Sequence, residues 1–395
     1  MSIKLSARVQ AVKPSPTLAV TARAAAMRAA GRDVIGLGAG EPDFDTPDHI
    51  KEAAIKAIRD GFTKYTEVDG TPSLKRAVID KFKRDNGLEY APEQILVSVG
   101  GKQSFFNLAQ ALLDPDDEVI IPAPYWVSYP DMVLLAGGDP VFVKASDEQQ
   151  FKITAAQLAG AITPKTKLIV INSPSNPTGM AYSAEELEEL AQVLDEHPRV
   201  VIATDDMYEH IRWDATTPFV NILNVRPEFY DRTMVLNGVS KAYSMTGWRI
   251  GYAGGPAEII KAMKKVQSQS TSCPTSIAQV AAEAALSGPQ GCIGVMVEAF
   301  KERHDYVVGR LNRIRGVSCL PADGTFYLFP NVQVLVDRLP GVANDLDLAE
   351  YLIEKAGVAL VPGTAFGLGG HIRLSIATSM ANLEKALDRF EAAVS

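Results

Sequence analysis

Residues 238–251 have the sequence GVSKAYSMTGWRIG, and they directly follow an apolar run of strand type at residues 233–237. A second apolar run starts at Ile250, so Lys241 and Arg249 lie in a turn of small residues between two predicted strands. Charged side chains are costly at such a place unless they have partners. A lysine there can lose its proton and attack a carbonyl carbon, whereas the planar fork of an arginine fits a phosphate. The stretch predicts a binding site for a ligand that carries both groups.

Pyridoxal phosphate (PLP) carries both an aldehyde and a phosphate, and it forms a Schiff base with a lysine of the enzymes that use it. The alternative interpretation is a surface lysine and a surface arginine on either side of a loop, which is the usual situation of a single lysine. The arrangement of the whole stretch at residues 238–251 favours the cofactor.

Length and composition predict an ordinary globular protein. With 395 residues the chain is long for one core, so two domains are expected. A net charge of −8 gives no electrostatic footprint for nucleic acid or an anionic membrane. The three cysteines lack metal-ligand spacing and none of the five histidines has a cluster partner, so no metal site is expected. The cysteine usage and the lack of a long apolar segment near the N-terminus predict a cytoplasmic location.

From Gln94 onward, short β-branched runs alternate with helical segments. The runs lie at residues 95–99, 118–121, 167–171, 200–204 and 233–236. Buried apolar strands separated by helices predict an α/β fold, with a largely parallel sheet between helices. After about residue 290 the pattern changes to that of a smaller α+β domain. We expect a large domain at residues 48–290, and a small domain that combines residues 1–47 and 291–395.

Four helix starts carry capping signals. Thr46 and Thr71 each precede a proline, which is favoured at the first position of a helix. The sequences TAAQ at residues 154–157 and SAEE at residues 183–186 are capping boxes. All four positions are therefore predicted to begin helices.

Chemically suggestive residues follow the predicted strands one after another, and ligands of parallel sheets bind beyond the carboxyl ends of the strands. After the first strand, Gly100, Gly101 and Lys102 open a helix. The free N–H groups and the positive dipole end of a helix start suit a phosphate. A merely tight turn between a strand and a helix is the alternative for these residues taken alone.

Residues suited to a planar ring follow the next strands. Trp126 offers an indole for stacking, with core packing as the alternative. Asn176, in a rigid polar turn, can donate a hydrogen bond to a ring oxygen. Asp205 can hold a protonated pyridine nitrogen while Tyr208 contacts the neighbouring ring oxygen, although aspartate at this place can also be a helix N-cap. Their recurrence at successive strand ends favours a single PLP site.

Two further positions suggest contacts with a substrate. Gly40 follows an apolar run, and a residue without a β-carbon lets the backbone approach a ligand closely. Arg373 lies between Ile372 and Leu374 in the last predicted strand, and alternation places its side chain on the opposite face from theirs. An arginine there needs an anionic partner, which is either a substrate carboxylate or a structural salt bridge.

The chain as a whole resembles the fold-type I, class I aminotransferases, and most of all the bacterial branch of aspartate aminotransferases that includes the rhizobial enzymes. Residues 238–251 match the PLP-lysine signature of that family position for position. The resemblance implies a mostly parallel sheet of the seven-stranded type and a homodimer with shared active sites. It also implies a ping-pong transfer of the amino group from L-aspartate, or a similar amino acid, to 2-oxoglutarate.

The resemblance assigns roles to the residues that contact the ring. Lys241 would bind PLP and then move the proton between the substrate Cα and the cofactor. Asp205 would pair with the pyridinium nitrogen, and Tyr208 and Asn176 would donate hydrogen bonds to the ring oxygen. Trp126 would flank the ring.

The resemblance also assigns anion-binding roles. Arg249 and the turn at residues 100–102 would hold the phosphate, and Tyr65 would reach the phosphate of the other subunit. Arg373 would bind the substrate α-carboxylate, with the backbone of Gly40 nearby.

One departure concerns the second carboxylate of an acidic substrate. The best-known branch of the family binds it with an arginine downstream of the lysine, but residues 267–275 contain no arginine. Lys102, together with Lys13, Ser15 and Thr17 of the N-terminal segment, is the expected replacement. Such a site would also accept an aromatic or prephenate-like acid, so a prephenate or aromatic aminotransferase, and a PLP-dependent lyase, are the alternatives.

Overall fold

The structure is a computed structural model that describes residues 3–214 and 216–395. The strands are β1 (Ile35–Gly36), β2 (Ile95–Ser98), β3 (Glu118–Ala123), β4 (Asp139–Lys144), β5 (Thr166–Asn172), β6 (Val201–Asp205), β7 (Thr233–Gly238), β8 (Gly251–Gly254), β9 (Tyr327–Leu328), β10 (Val358–Ala359), β11 (Val361–Pro362) and β12 (Ile372–Ser375). The helices are α1 (Ala7–Ala11), α2 (Pro16–Ala29), α3 (Asp48–Arg59), α4 (Pro72–Lys81), α5 (Gly101–Leu112), α6 (Ser128–Ala136), α7 (Ala155–Ala161), α8 (Ala184–Asp195), α9 (Ile222–Val225), α10 (Ala257–Ser268), α11 (Ser276–Ser287), α12 (Gly291–Leu311), α13 (Gln333–Arg338), α14 (Asp345–Lys355) and α15 (Met380–Val394).

A seven-stranded sheet forms the centre of the fold, in the order β2-β8-β7-β6-β5-β3-β4. Strand β8 is antiparallel to both of its neighbours, and every other pair in the sheet is parallel. The predicted mostly parallel α/β sheet is confirmed. The five predicted runs correspond to β2, β3, β5, β6 and β7. Strand β4 was not predicted, because it lies at the edge of the sheet and begins with an aspartate and a proline instead of an apolar run.

Strand residues alternate between two apolar layers, one on each face of the sheet. Val97 and Ile169 belong to one cluster of buried residues, while their neighbours Leu96 and Leu168 belong to another. Since successive side chains of a strand point to opposite faces, a strand covered on both faces is apolar throughout. This explains why the sequence pattern of these strands was continuous.

A third cluster of buried residues lies mainly within the C-terminal part of the chain. It includes Phe300 of α12, Phe390 of α15 and Leu374 of β12, and it also takes in Ile35 of β1. Strand β1 pairs with β10, which ties the N-terminal segment to this part. The division into residues 48–290 and the two remaining segments stays a prediction.

Three of the four predicted helix caps are present. Thr71 Oγ1 accepts a hydrogen bond from the N–H of Leu74 (3.3 Å), and both capping boxes, at residues 154–157 and 183–186, are formed. The prediction for Thr46 was wrong. Helix α3 has no side-chain cap, because the Thr46 hydroxyl donates instead to the carbonyl oxygen of Ser244 (2.7 Å).

Within the described residues, no single helix is both long and apolar enough to cross a membrane. Helices α11 and α12 meet the length and composition criteria only when taken together, and they are bent by 82° at the break between them. Both helices contribute buried side chains to the apolar clusters, such as Ala281 and Phe300.

Candidate active site

A cavity of about 400 Å³ lies beyond the carboxyl ends of the parallel strands. Strands β5, β6 and β7 end side by side there, at Asn172, Asp205 and Gly238. The cavity is lined by Ser15, Thr17, Leu18, Thr21, Ala39, Gly40, Glu41, Gly101, Lys102, Trp126, Val127, Ser128, Tyr129, Asn172, Asn176, Asp205, Met207, Tyr208, Ser240, Lys241, Thr246, Arg249, Tyr327 and Arg373. Most of the predicted site residues therefore meet at one place, as expected for a parallel sheet.

Lys241 follows β7 and faces the cavity. Its Nζ donates a hydrogen bond to the carbonyl oxygen of Gly40. Burial, with a further contribution from the positive charge of Arg373, lowers the pKa of Lys241 to about 8. A buried amine with such a pKa is partly neutral near pH 7, so Lys241 can act as a nucleophile and as a base.

Asp205 is fixed at the end of β6 by contacts from two elements. Its backbone carbonyl accepts a hydrogen bond from Asn172 Nδ2 on the neighbouring strand (2.9 Å). Its carboxylate accepts hydrogen bonds from the Tyr129 hydroxyl and from the N–H of Met207. Burial raises the pKa of Asp205, while the hydrogen bonds from Tyr129 and Met207 act in the opposite direction. Asp205 does not cap an α-helix, because a turn follows it.

Tyr208 and Asn176 both reach the cavity from buried positions. The Tyr208 hydroxyl donates to the hydroxyl of Tyr327 (3.1 Å), and burial raises the pKa of both phenols. Asn176 Oδ1 accepts a hydrogen bond from Arg373 (3.0 Å), and its backbone N–H donates to Asn172 Oδ1 (2.9 Å). Because its oxygen is used by Arg373, the Asn176 amide is oriented to donate through Nδ2.

Arg249 and Gly100 are closely packed at the start of α5. Arg249 has a left-handed backbone conformation with φ of 57°, and its Nη1 donates to the carbonyl oxygen of Thr246 (2.6 Å). A β-carbon on Gly100, whose φ is +85°, would lie 2.1 Å from Arg249 Nη2. A side chain at position 100 would therefore push the guanidinium away from the free N–H groups of the helix start.

Lys102 is the second cation at this end of the cavity. Its Nζ lies 5.2 Å from the centre of the Trp126 ring. Burial lowers the pKa of Lys102 and of Arg249. Within the described residues, neither cation has a carboxylate oxygen within 4.0 Å. Two cations beside a helix start, both still accessible to a ligand, form a site that suits a phosphate.

Arg373 is 2% exposed and forms no ion pair with any carboxylate in the described part of the chain. Its Nη2 donates to the carbonyl oxygen of Gly38 (2.7 Å), its Nε has no partner there, and its guanidinium carbon lies 4.4 Å from the centre of the Tyr327 ring. Of the two partners left open by the sequence, the structural salt bridge is absent from the described residues. The remaining candidate is an anion that enters the cavity.

Only some of the residues that were predicted to contact the substrate from the N-terminal segment lie at the cavity. Ser15 and Thr17 line it, and the buried Thr17 hydroxyl has no hydrogen-bond partner among the described residues. Lys13 is exposed and is not part of the lining. Tyr65 is also outside the cavity and is 91% exposed.

Sequence reasoning missed several residues that hold the site together. Tyr129 contacts Asp205, Tyr327 contacts Tyr208, and Asn172 contacts both Asp205 and Asn176. The position of Asn172 at a strand end was a usable signal, as was the spacing of three residues between Trp126 and a tyrosine near the start of a helix. Nothing in the sequence around Tyr327 distinguished it from a core aromatic residue.

The residues present fit PLP. A partly buried lysine with a lowered pKa faces the same cavity as a partly buried carboxylate, which can hold a ring nitrogen. Two cations beside a glycine at a helix start lie at the same cavity. With the mostly parallel seven-stranded sheet, this set of groups is that of the fold-type I PLP-dependent enzymes.

Comparison with known proteins gives the family. The profile of aminotransferase class I and II matches residues 32–390, and the chain belongs to this family. The chain is 61% identical to the aspartate/prephenate aminotransferase of Nitrosomonas europaea, over 100% of both chains. The protein is thus an aminotransferase that depends on PLP.

Two solved structures have the same fold over nearly their whole length. The aspartate aminotransferase of Rhizobium meliloti superposes with a TM-score of 0.96 at 50% identity, covering 100% of this chain and 99% of that one. The aspartate aminotransferase of Thermus thermophilus, solved with maleate, superposes with a TM-score of 0.93 at 46% identity, covering 99% and 100%.

Proposed function

We propose that the enzyme transfers the amino group of L-aspartate, or of a similar amino acid, to 2-oxoglutarate by a ping-pong mechanism. The observation that carries this proposal is Arg373, a buried guanidinium without an acidic partner in the described residues, which opens on the same cavity as Lys241. Relatives that are aspartate/prephenate and aspartate aminotransferases support aspartate as the donor. Maleate, with which the Thermus relative was solved, is a dicarboxylate like L-aspartate and 2-oxoglutarate.

PLP supplies an aldehyde that accepts the amino group and a ring that withdraws electrons from the substrate Cα. The protein would supply the proton transfer, because Lys241 can take the proton from the substrate Cα and deliver it to the cofactor carbon that carries the amino group. Asp205, held by Tyr129, keeps the ring nitrogen protonated. Asn176 would donate a hydrogen bond to the ring oxygen through Nδ2. Tyr208 would do the same once its hydroxyl turns away from the Tyr327 oxygen, to which it donates in the ligand-free structure.

The anionic groups are held at two places in the cavity. The phosphate would be bound by Arg249, by Lys102 and by the backbone N–H group of Gly101, which lines the cavity. The N–H of Gly100 donates to the carbonyl oxygen of Ser98 (2.8 Å), so Gly100 would contribute through its lack of a side chain. Trp126 flanks the ring beside Lys102, which is consistent with the short distance between them. The substrate α-carboxylate is bound by the planar fork of Arg373, beside the backbone of Gly40.

The visible spectrum of the purified protein tests this function. We expect a yellow protein whose absorbance is lost when L-aspartate is added, and restored when 2-oxoglutarate follows. L-phenylalanine and L-glutamate, added separately, rank the donors. A protein that stays colourless after PLP is supplied would contradict the proposal. Formation of more than one equivalent of product per active site from L-aspartate, without any oxo acid, would indicate the lyase alternative instead.

A prephenate or aromatic acid is the second candidate substrate. The Nitrosomonas relative has prephenate in its name. In this chain, the apolar side chains of Leu18 and Trp126 line the cavity together with the polar Ser15 and Thr17. Such a mixed lining suits both a carboxylate and an aromatic ring, so we propose that aspartate and aromatic acids share the site.

Lys13→Ala is expected to lower kcat/KM for L-aspartate about tenfold and to leave that for L-phenylalanine unchanged. A hydrogen bond to a charged group contributes about 1.5–3 kcal/mol, and only L-aspartate has a second carboxylate. This contact requires the Lys13 side chain, which is exposed in the ligand-free structure, to move toward Ser15 and Thr17 when substrate binds. Steady-state kinetics with both donors measure the effect, and Lys4→Ala, another exposed lysine of the N-terminal segment, is the matched control. Equal losses for the two donors would contradict the role of Lys13.

We propose a homodimer with shared active sites, in which Tyr65 of each copy reaches the phosphate held by the other. The supporting observation is that the Tyr65 side chain is 91% exposed and lies outside the cavity of its own chain.

A cytoplasmic location is proposed as well, and the free thiols of the three cysteines support it. The separate apolar clusters support a large domain at residues 48–290 and a small domain from residues 1–47 and 291–395.

A further inference from the structure

The Tyr65 loop, defined as residues 62–71, joins α3 to α4. No residue of this loop lines the cavity that contains Lys241. Loops with exposed side chains are usually mobile, because few buried contacts restrain their backbone. This loop is different, since two completely buried glutamines bind its backbone and side chains.

Gln279 of α11 is 0% exposed and binds the loop at two points. Its Oε1 accepts a hydrogen bond from the N–H of Thr71 (2.8 Å), and its Nε2 donates to Thr66 Oγ1 (2.8 Å). The same Nε2 also donates to the carbonyl oxygen of Pro274 (2.9 Å). The contact with Thr66 restrains the residue directly after Tyr65.

Gln267 of α10, also 0% exposed, binds the loop to the sheet and to α5. Its Nε2 donates to the carbonyl oxygens of Val68 (2.6 Å) and of Val97 in β2 (2.8 Å). Its Oε1 accepts a hydrogen bond from Asn107 Nδ2 (2.9 Å). The loop is thereby tied to the helix that begins at the predicted phosphate site.

Close packing and charge hold the end of the loop as well. A β-carbon on Gly70, whose φ is +100°, would lie 2.6 Å from Val97 Cγ2. The carboxylate of Asp69 forms ion pairs with Lys75 (2.7 Å) and Lys264 (2.7 Å). Residues 66–71 are therefore fixed to the body of the protein, although Tyr65 itself contacts mainly solvent.

Burying an amide is unfavourable unless its polar atoms are hydrogen-bonded, and an apolar residue fills such a helix position at lower cost. Gln279 makes two of its three side-chain hydrogen bonds to the Tyr65 loop and Gln267 makes one of three, and neither residue lines the cavity of its own chain. Their common effect is to restrain the backbone that directly follows Tyr65. A preorganised exposed side chain favours binding to a second molecule, because its conformational entropy is already restricted before the two molecules associate.

We propose that Gln267 and Gln279 are positioning residues that act in trans: they hold Tyr65 for the active site of a second copy of this chain. The proposal rests on the homodimer with shared sites described above. Loss of Gln279 in one subunit then impairs the site that contains the partner's lysine, and leaves the site of its own lysine intact.

Hybrid dimers test this directly. Two differently tagged chains, one carrying Lys241→Ala and the other Gln279→Met, are co-expressed and the mixed dimer is isolated by both tags. Methionine matches the volume of glutamine but makes none of its hydrogen bonds. The Gln279→Met homodimer is expected to bind PLP about tenfold more weakly, as for the loss of about 1.4 kcal/mol. The hybrid is expected to contain one native site, with about half the activity of the wild-type dimer and native PLP affinity at that site.

A hybrid with half the activity of the Gln279→Met homodimer would overturn the proposal, because Gln279 would then act on its own site. The parallel hybrid of Lys241→Ala with Tyr65→Phe tests the shared sites themselves. If that hybrid regains a native site and the Gln279→Met hybrid does not, only the positioning role fails. If neither does, the shared-site dimer fails.

Two further variants separate positioning from loss of stability. Thr66→Val removes only the hydroxyl that Gln279 binds, and it is expected to give a smaller loss that is also restored in the hybrid. Asn312→Leu is the control, since Asn312 likewise binds backbone groups, the N–H and carbonyl of Cys319, but far from the loop. Its homodimer is expected to keep wild-type PLP affinity. A Thr66→Val defect that the hybrid does not restore would contradict action in trans.

Discussion

Lys241→Ala is expected to abolish amino-group transfer, with a loss of at least about 10³-fold in kcat. General acid–base catalysis alone contributes about 10²–10⁴-fold, and the variant also loses the amine that binds the cofactor covalently. Lys56→Ala, an exposed lysine of α3 that pairs with Asp60, is the control and should keep full activity. Reduction with borohydride in the presence of PLP is expected to label Lys241 in the wild-type protein and no lysine in the variant. A trapped adduct at another lysine would refute the assignment.

Stability of the apoprotein gives a second measurement on Lys241 that does not depend on activity. Burial lowers its pKa to about 8 from the usual 10.5. Between these two values the unfolded chain binds the proton and the folded protein does not, so the stability contributed by this residue falls as the pH falls from about 10.5 to 8. Below about pH 8 both the folded and the unfolded protein bind the proton, so the loss of stability caused by Lys241 no longer changes with pH. Relative to wild type, the free energy of unfolding of Lys241→Met should therefore rise as the pH falls through this window. A difference that does not change with pH would contradict the buried, neutral amine.

The residues at the strand ends could be predicted from the sequence for a specific physical reason. Strands covered on both faces are apolar throughout, so a polar residue at the end of such a run is conspicuous. Asp205 and Lys241 were found in this way, and the parallel arrangement then brings successive strand ends to one edge. The cavity contains both residues, as that argument requires.

The partners of these residues depend on distant parts of the chain, and so the sequence did not indicate them. Tyr129 is 76 residues from Asp205, and Gly38, which accepts a hydrogen bond from Arg373, is 335 residues from it. The absence of an acidic partner for Arg373 in the described residues depends on every element that packs around it. For the same reason the prediction that Thr46 caps α3 was wrong, because its hydroxyl donates to an acceptor 198 residues away in the sequence.

The N-terminal segment is the other place where the sequence alone was insufficient. Ser15 and Thr17 reach the cavity because α2 begins beside it, and Ser15 caps that helix. Lys13 precedes the helix, and its backbone N–H donates to Asp131 (3.4 Å) while its side chain is exposed. In an irregular segment, the position of a residue in the sequence does not determine the direction of its side chain. In a strand, by contrast, successive side chains alternate between the two faces.

Arg373→Ala is expected to raise KM about 100-fold for both the amino acid and the oxo acid. Both substrates carry an α-carboxylate, and a charge-assisted hydrogen bond contributes about 1.5–3 kcal/mol, where about 1.4 kcal/mol corresponds to tenfold. Arg373→Lys keeps the charge but loses the planar fork, so its KM values should be intermediate. Steady-state kinetics with each substrate varied in turn measure the effect. Unchanged KM values for both substrates would contradict carboxylate binding by Arg373.

Comparison with Arg373→Met separates binding from structure. A buried guanidinium with no carboxylate beside it in the described residues is stabilised only by hydrogen bonds to Gly38 and Asn176 and by contact with nearby aromatic rings. The burial of its charge is costly. Its replacement by an apolar side chain of similar length should therefore change the free energy of unfolding of the ligand-free protein much less than the free energy of substrate binding. Maleate should raise the Tm of the wild-type protein but not that of Arg373→Met. If the variant lost stability in proportion to affinity, the arginine would be structural, and the cavity would need another group for the α-carboxylate.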